Sequence, residues 1–309
     1  MSYESEMLEE LSMPKRDRVE DALLKTLFRH NGVVKEFASG QAIVDEIADE
    51  FYLNDRQRAA VLARIYRKEN RRVESSLWHR LLFRAADSLA KQEFVSRPTS
   101  TFQLTNKREW MLTERGYDET LKRLGVPEIQ KESLLVKSFE VEKIVKKISQ
   151  STRPEIYNPF DSNKKVVTVI RETTLRTRGF RQAVIEAYGF KCAFCGLKLN
   201  SPDNLLWEVE AAHIVPHGFK GKDDVWNGLS LCRLHHWTFD VGWLTVDSEM
   251  QIKVSSKVDS MPDQYGKLGG VDLIRMFANN RLRITLPDNP NMFPHETALT
   301  WHRENLFIF

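Results

Sequence analysis

CAFCGLKLNSPDNLLWEVEAAHIVPHGFKGKDDVWNGLSLCRLHHWTFD, residues 192–240, holds all three cysteines of the chain (Cys192, Cys195, Cys232) and four of its eight histidines (His213, His217, His235, His236). A chance scatter over 309 residues would not crowd these residue types into one segment. Two patterns interleave. Cys192-x-x-Cys195 and Cys232-x-x-His235 are two ligand pairs, each able to clasp an ion from a tight turn, and two such pairs complete a tetrahedron. Gly196 relieves the first turn. Four protein ligands close the coordination sphere, so a Zn²⁺ held here would be structural. Ordinary buried thiols would not recur at paired spacing. A zinc deaminase also uses Cys-x-x-Cys, but its His-x-Glu is missing upstream of Cys192. The second pattern is a His213…Asn227…His236 series between and beyond the ligand pairs.

The remaining composition sets bounds. The length allows two domains and a sizeable core. With 41% hydrophobic and 29% charged residues the chain has the make-up of a soluble globular protein. A net charge of +3 permits a polyanionic partner without requiring one. No apolar run approaches the ~20 residues of a membrane span, and the acidic start MSYESEMLEELSMPKRD predicts neither a secretion signal nor a transit peptide. Three cysteines clustered at metal spacing argue for a reducing cytoplasm.

Upstream, residues 17–31, 40–52 and 55–68 show helical apolar spacing. A longer helix follows, with Trp78, Leu82, Ala85 and Leu89 on one stripe. FVSRPTSTFQLTNKREWMLT then reads as a hairpin, split by Pro98 and an Asn106-Lys107 turn. ERGYDETLKRLG is a short helix stopped at Gly125. Helices followed by a two-stranded wing make a winged-helix outline. The segment from LWHRLLFRAADSLAKQ to MLTERG resembles the N-terminal winged-helix domain of Mrr-type restriction proteins, with Ala86, Leu89, Trp110, Leu112, Thr113 and Gly116 in the matching places. Asn54–Arg72 carries seven basic residues against two acidic ones. Of these, Arg64, Arg67, Lys68, Arg71 and Arg72 are candidates for phosphate contact; a solvated helix face is the plainer alternative. Residues 126–172 read as a connector with a helical patch, a loop and a strand candidate, VVTVI. GFRQAVIEAYGFKCAFCG is an amphipathic helix leading into the first ligand pair.

Between those pairs, LLWEVEAAHIVPHG alternates into a strand. A basic loop, Asn227-Gly228, a short strand and a helix beginning near Arg233 follow. Strand, loop, strand and helix closed by zinc outline a ββα-metal fold. WEVEAAHIVPHG…NGLSLCRLHHWTFDVGWLTVD resembles the HNH endonucleases, in particular the branch found in predicted restriction enzymes. The likeness runs from about Phe180 to Asp247, with a fainter echo in RLRITLP and WHREN. The resemblance implies that His213 is the general base and that Asn227 fixes the loop and orients His213 by hydrogen bonding. It also implies that one of the adjacent pair His235/His236 binds the catalytic cation, Mg²⁺ or Mn²⁺. Neighbours on a helix point ~100° apart, so one histidine cannot serve both metals. His235 completes Cys-x-x-His and meets Phe239 one turn on. His236 meets Asp240. We therefore assign His235 to zinc and His236 to the cation, with Asp240 as second ligand or supporting group; the swapped assignment stays open, because Cys-x-x-x-His also binds zinc. Many relatives carry a ligand just before the base, where this chain has Ala212. Alternate strand residues share a face, so Glu210 is the candidate replacement, with Glu208 behind it. Lys220 and Lys222 are candidate phosphate contacts in the loop, and His217 is an exposed loop residue.

The expectation is thus an α+β protein: a mostly helical winged-helix domain (1–125), a connector (126–172) and a zinc-stabilised HNH nuclease domain (173–309). It would cut double-stranded DNA to 5′-phosphate and 3′-hydroxyl ends in restriction, including modification-dependent restriction, or in phage defence. Cutting two strands favours a homodimer, and defence systems supply partner proteins. The competing readings are a zinc-containing DNA-binding regulator without activity, a nuclease that acts on RNA, or the nuclease subunit of a larger defence complex.

Overall fold

The computed structural model describes residues 3–66, 71–126, 134–161, 170–272, 274–278 and 282–309. Contacts divide the chain into two compact units, Met1–Glu142 and Lys143–Phe309. Among the described residues no helix is long and apolar enough to cross a membrane.

In the first unit, helices Arg16–Arg29, Gln41–Glu50, Leu77–Lys91 and Glu114–Leu124 accompany a three-stranded antiparallel sheet. Its middle strand, Glu109–Leu112, lies between Val33–Lys35 and Val95–Ser96. Leu23, Leu27, Ile47, Leu82, Leu89 and Tyr117 fill the core with no more than 1% exposure. The Thr113 hydroxyl caps the Glu114–Leu124 helix by accepting from Gly116 N at 3.0 Å. Gly116 admits no side chain, because a Cβ there would sit 1.8 Å from the carbonyl oxygen of Phe94.

Two expectations for this unit are corrected. Residues 55–68 do not form one helix. Asp55–Ala59 is helical, and Val61–Tyr66 then pairs antiparallel with Arg71–Ser76. The exposure alternates, 48% at Val61 and 3% at Leu62, as a strand requires and a helix does not. Arg64, Arg71 and Arg72 of the basic run therefore lie on paired strands, and Arg56 and Arg58 on the short helix before them. Arg67 and Lys68 lie outside the described residues, as do the side chains of Arg64, Arg71 and Arg72. The second correction concerns the expected hairpin at 94–113. Its strands Val95–Ser96 and Glu109–Leu112 do pair, but Pro98–Thr105 between them is a helix. Proline suits the first helical position, where its missing N–H costs nothing. The expected Asn106-Lys107 turn is that helix's left-handed end, with φ 60° at Asn106.

In the second unit, the 18-residue helix Ile170–Ala187 packs on the hairpin Val209–His213/Gly228–Cys232. Helix Arg233–Asp240 follows without a connecting loop. Of the strand candidate VVTVI (166–170), residues 166–169 lie outside the described residues, and Ile170 begins a helix instead. Residues 151–161 are irregular, as expected, yet they are docked. Tyr157 is buried, and Lys222 N donates to Pro159 O at 2.9 Å. A second hairpin, Leu244–Val246/Ile252–Val254, and the helix Glu296–Asn305 complete the support.

His302 of that last helix is a core residue. Its ring stacks on Phe239 at 3.6 Å, Nδ1 lies 2.9 Å from the Thr245 hydroxyl, and Nε2 lies 3.1 Å from Phe239 O. Burial holds its pKa down at about 4, against an ordinary 6.5. An unfolded chain takes up a proton between those values that folded His302 refuses. Stability present above pH 6.5 is therefore lost as pH falls toward 4. In urea unfolding, the wild type should lose about 2 kcal/mol more than His302→Gln between about pH 7 and pH 5. Parallel losses in the two proteins would remove this role from His302.

Candidate active site and metal centre

Strand register sets the site. Val209 faces Cys232 across the hairpin, Glu210 faces Leu231, and His213 faces Gly228. Cys232 is at once the last strand residue and the cap of the Arg233–Asp240 helix. The chain turns there, so the next helical turn brings His235 back over the thiol. Gly228 lets the Ile170–Ala187 helix close on the hairpin: a Cβ there would lie 2.5 Å from Val184 and 3.0 Å from Phe180.

Cys192, Cys195, Cys232 and His235 gather with one ligand atom each, all within 4.8 Å of one another. His235 Nδ1 is 3.4 Å from Cys192 Sγ and 3.2 Å from Cys232 Sγ. A tetrahedral zinc site with ordinary bond lengths has N···S edges of roughly 3.5 Å. The cluster therefore fits zinc. Of the two adjacent histidines, it is His235 that joins the cysteines. Hydrogen bonds from Cys195 and Cys232 lower the pKa of the Cys192 thiol. Burial opposes a charge on His235, but the hydrogen bonds and charges of Cys192 and Cys195 outweigh it and raise the ring to about 9.

The neighbouring His236 looks the other way. Its Nδ1 is 2.9 Å from Glu210 Oε2, and its Nε2 is 3.4 Å from Asp240 Oδ2. The expected candidate ligands are thus brought to one ring, but on opposite nitrogens. A cation on one nitrogen meets only one of the two carboxylates directly. An Nε2···Oδ2 gap of 3.4 Å is close to the separation of adjacent ligands around one small cation. Glu210 on Nδ1 would then orient the ring. The His236 hydrogen bond, with help from Arg181 and Arg233, lowers the Glu210 pKa against the opposing effect of burial. Burial opposes charge on His236, yet Glu210 and Asp240 raise it. Burial raises Asp240, while the charges of His236 and His213 pull it back. Glu208 is placed elsewhere, 3.5 Å from Arg233.

His213 stands at the end of its strand, stacked on Phe180 with ring centroids 4.1 Å apart and planes 19° from parallel. Its Nε2 is 2.9 Å from Asp223 Oδ1. The expected Asn227–His213 hydrogen bond is not among those that Asn227 makes. Asn227 is fully buried and pins the loop instead: its Oδ1 accepts from Val215 N at 2.8 Å, and its Nδ2 donates to Val215 O and Lys222 O, both at 3.0 Å. Its side chain is used up on the loop backbone, and the carboxylate of Asp223 takes the ring. Lys220 is exposed on this loop, and Lys222 lies over the Tyr157 ring at 5.5 Å. His217 is exposed, with its ring 6.2 Å from that of His213. Sequence reasoning missed Asp223, Phe180 as a stacking partner and Arg181. Only the acidic pair Asp223-Asp224 between the expected base and Asn227 could have hinted at the first.

Residues 192–247 match the family model described as HNH endonuclease. This segment is an HNH endonuclease domain. The HNH match begins at the first zinc-type cysteine and ends just beyond the Leu244–Val246 strand. Among solved structures, the chain is similar to one described as "Modification dependent TagI restriction endonuclease", at 21% identity and a TM-score of 0.30. That likeness covers 41% of this chain and 37% of the other, so well under half of either is spanned. No curated protein matches the chain.

Metal analysis of the protein should find about one zinc per chain, falling to near zero with loss of the folded domain in Cys232→Ser. Zinc well below one per chain in the wild type would refute the cluster. Asn227→Ala strands buried backbone groups of the loop and should cost about 2–4 kcal/mol in denaturant unfolding while the zinc is retained. An unchanged midpoint would show that the loop holds itself.

Proposed function

We propose that the protein is a metal-dependent DNA endonuclease of the restriction type, including modification-dependent restriction, acting in bacterial or phage-related defence in the cytoplasm. The observation that carries this reading is the arrangement of His213, His236 and Asp240 within the segment that matches HNH endonucleases. His213 is the general base: it takes a proton from the water that attacks phosphorus. His236 and Asp240 would hold a divalent cation, Mg²⁺ or Mn²⁺, and Glu210 would steady the ring from its other nitrogen. That cation, when bound, supplies charge neutralisation at the phosphate and the leaving oxygen. His236 must give up its proton to serve as ligand, so cation binding weakens in acid. Asn227 shapes the loop that presents His213, and Lys220 and Lys222 lie on that same loop for phosphate contact.

In this reading residues 1–125 engage double-stranded DNA, 126–172 connect and 173–309 cut. The order Val33–Lys35, Glu109–Leu112, Val95–Ser96 in the first unit's sheet supports the winged-helix outline. Three basic residues on the paired strands Val61–Tyr66 and Arg71–Ser76, namely Arg64, Arg71 and Arg72, support phosphate contact. A homodimer would cut both strands, and defence partners would set its targeting.

Plasmid cleavage tests the proposal. Plain, methylated and hydroxymethylated supercoiled DNA with Mg²⁺ or Mn²⁺ should be nicked or linearised in at least one lane. His213→Ala should slow this by about a hundredfold or more. Intact DNA in every lane, or equal cutting by His213→Ala, overturns the mechanism.

A further inference from the structure

Asp223 lies on the loop between the two strands of the HNH hairpin, and its carboxylate meets Nε2 of His213 at 2.9 Å. Both side chains are largely buried, 17% and 14% exposed. The contact is held from both sides. The preceding residue, Lys222, donates its N–H to Pro159 O and accepts at its carbonyl from Asn227 Nδ2. The following residue, Asp224, accepts from the Tyr157 hydroxyl at 2.6 Å and from Asn227 N at 3.2 Å. Asp223 thus sits between two anchored residues, and its direction is set by the loop framework. The His213 ring is equally constrained, with one face on Phe180 and an edge toward His217. No other hydrogen bond reaches that ring among the described residues.

A neutral imidazole has one N–H donor and one lone-pair nitrogen, and an ionised carboxylate can only accept. We propose that Asp223 is the positioning residue of His213: it accepts the Nε2–H, so the ring keeps its proton on Nε2 and its lone pair on Nδ1. This rests on the reading of His213 as general base and names the atom that acts. The water O–H bond breaks, and its proton goes to Nδ1. The hydroxide oxygen forms the new bond to phosphorus, and the displaced oxygen leaves with the electron pair of its own bond and is protonated from solvent. The Asp223 carboxylate then faces a doubly protonated, positively charged ring and stabilises it. The adjacent acidic residues therefore divide their work, with Asp224 tying the loop to Tyr157 and Asp223 tying the ring.

The test reads the ring directly. Full-length, zinc-loaded protein with ¹⁵N-labelled histidine is followed by NMR at about pH 8, where an ordinary imidazole is neutral. His213 should appear as the Nε2–H tautomer in the wild type and move toward a mixture in Asp223→Ala. In plasmid cleavage the same variant should lose about a hundredfold in kcat with little change in KM. Its zinc content and melting temperature should stay near those of the wild type. An Nδ1–H tautomer in the wild type overturns the proposal, and this readout stands even if Asp223→Ala fails to fold. Unchanged tautomer and kcat in a folded Asp223→Ala also overturn it. Failure of the nuclease reading looks different: the wild type cuts no DNA, or His213→Ala cuts as well, whatever tautomer the spectrum shows.

Discussion

Cys232 is where the constraints on the second unit meet. It is the last residue of a strand, paired with Val209, and also the cap of the helix that follows. It belongs to the metal cluster too. Antiparallel pairing has a side-chain period of two, so a slip of one residue would turn His213 and Glu210 to the other face. Fixing Cys232 beside Cys192 and His235 removes that freedom. A zinc ion there would bind two segments far apart in sequence, and its binding energy would count as folding energy.

From this junction the helix distributes two adjacent histidines to opposite tasks. His235 turns inward among thiols and the rings of Phe194 and Phe277. His236 turns to the carboxylates of Glu210 and Asp240. The difference is environmental. Both are imidazoles on one helical turn, and what separates them is the angular step between neighbours. The inner one is committed to structure and the outer one is left with polar partners on both nitrogens. The same division recurs in the loop, where Asn227 is spent on backbone groups and the ring of His213 finds its partner in Asp223.

The first unit shows how local pattern can mislead. Residues 55–68 have apolar residues that fit a helical stripe, yet Val61, Ala63 and Ile65 also alternate with Leu62, Arg64 and Tyr66. Short segments of this kind satisfy both periods. Pairing with Arg71–Ser76 decides in favour of the strand, because it satisfies the backbone groups along a whole ladder. The reverse occurred at Pro98–Thr105, where a helix sits inside an expected hairpin. Thr101 locks it by donating to Arg97 O at 2.9 Å and to Glu109 O on the central strand.

The sequence by itself determined the metal-ligand spacing, the order strand, loop, strand, helix, and the opposing directions of His235 and His236. Each of these is written within a few consecutive residues and follows from helix and strand geometry. Even the side on which Glu210 stands was readable, because strand alternation placed it on the side of Ala212. Tertiary structure alone decided which carboxylate meets which nitrogen of His236, that Asp223 holds His213, and that Asn227 serves the loop. It also decided that Phe180, from a helix more than thirty residues upstream, supports the His213 ring. These contacts depend on register, loop closure and packing across segments, so no local period carries them. The basic run shows the limit most plainly: its charge was legible from composition, but the strands that carry Arg64, Arg71 and Arg72 were set by their pairing.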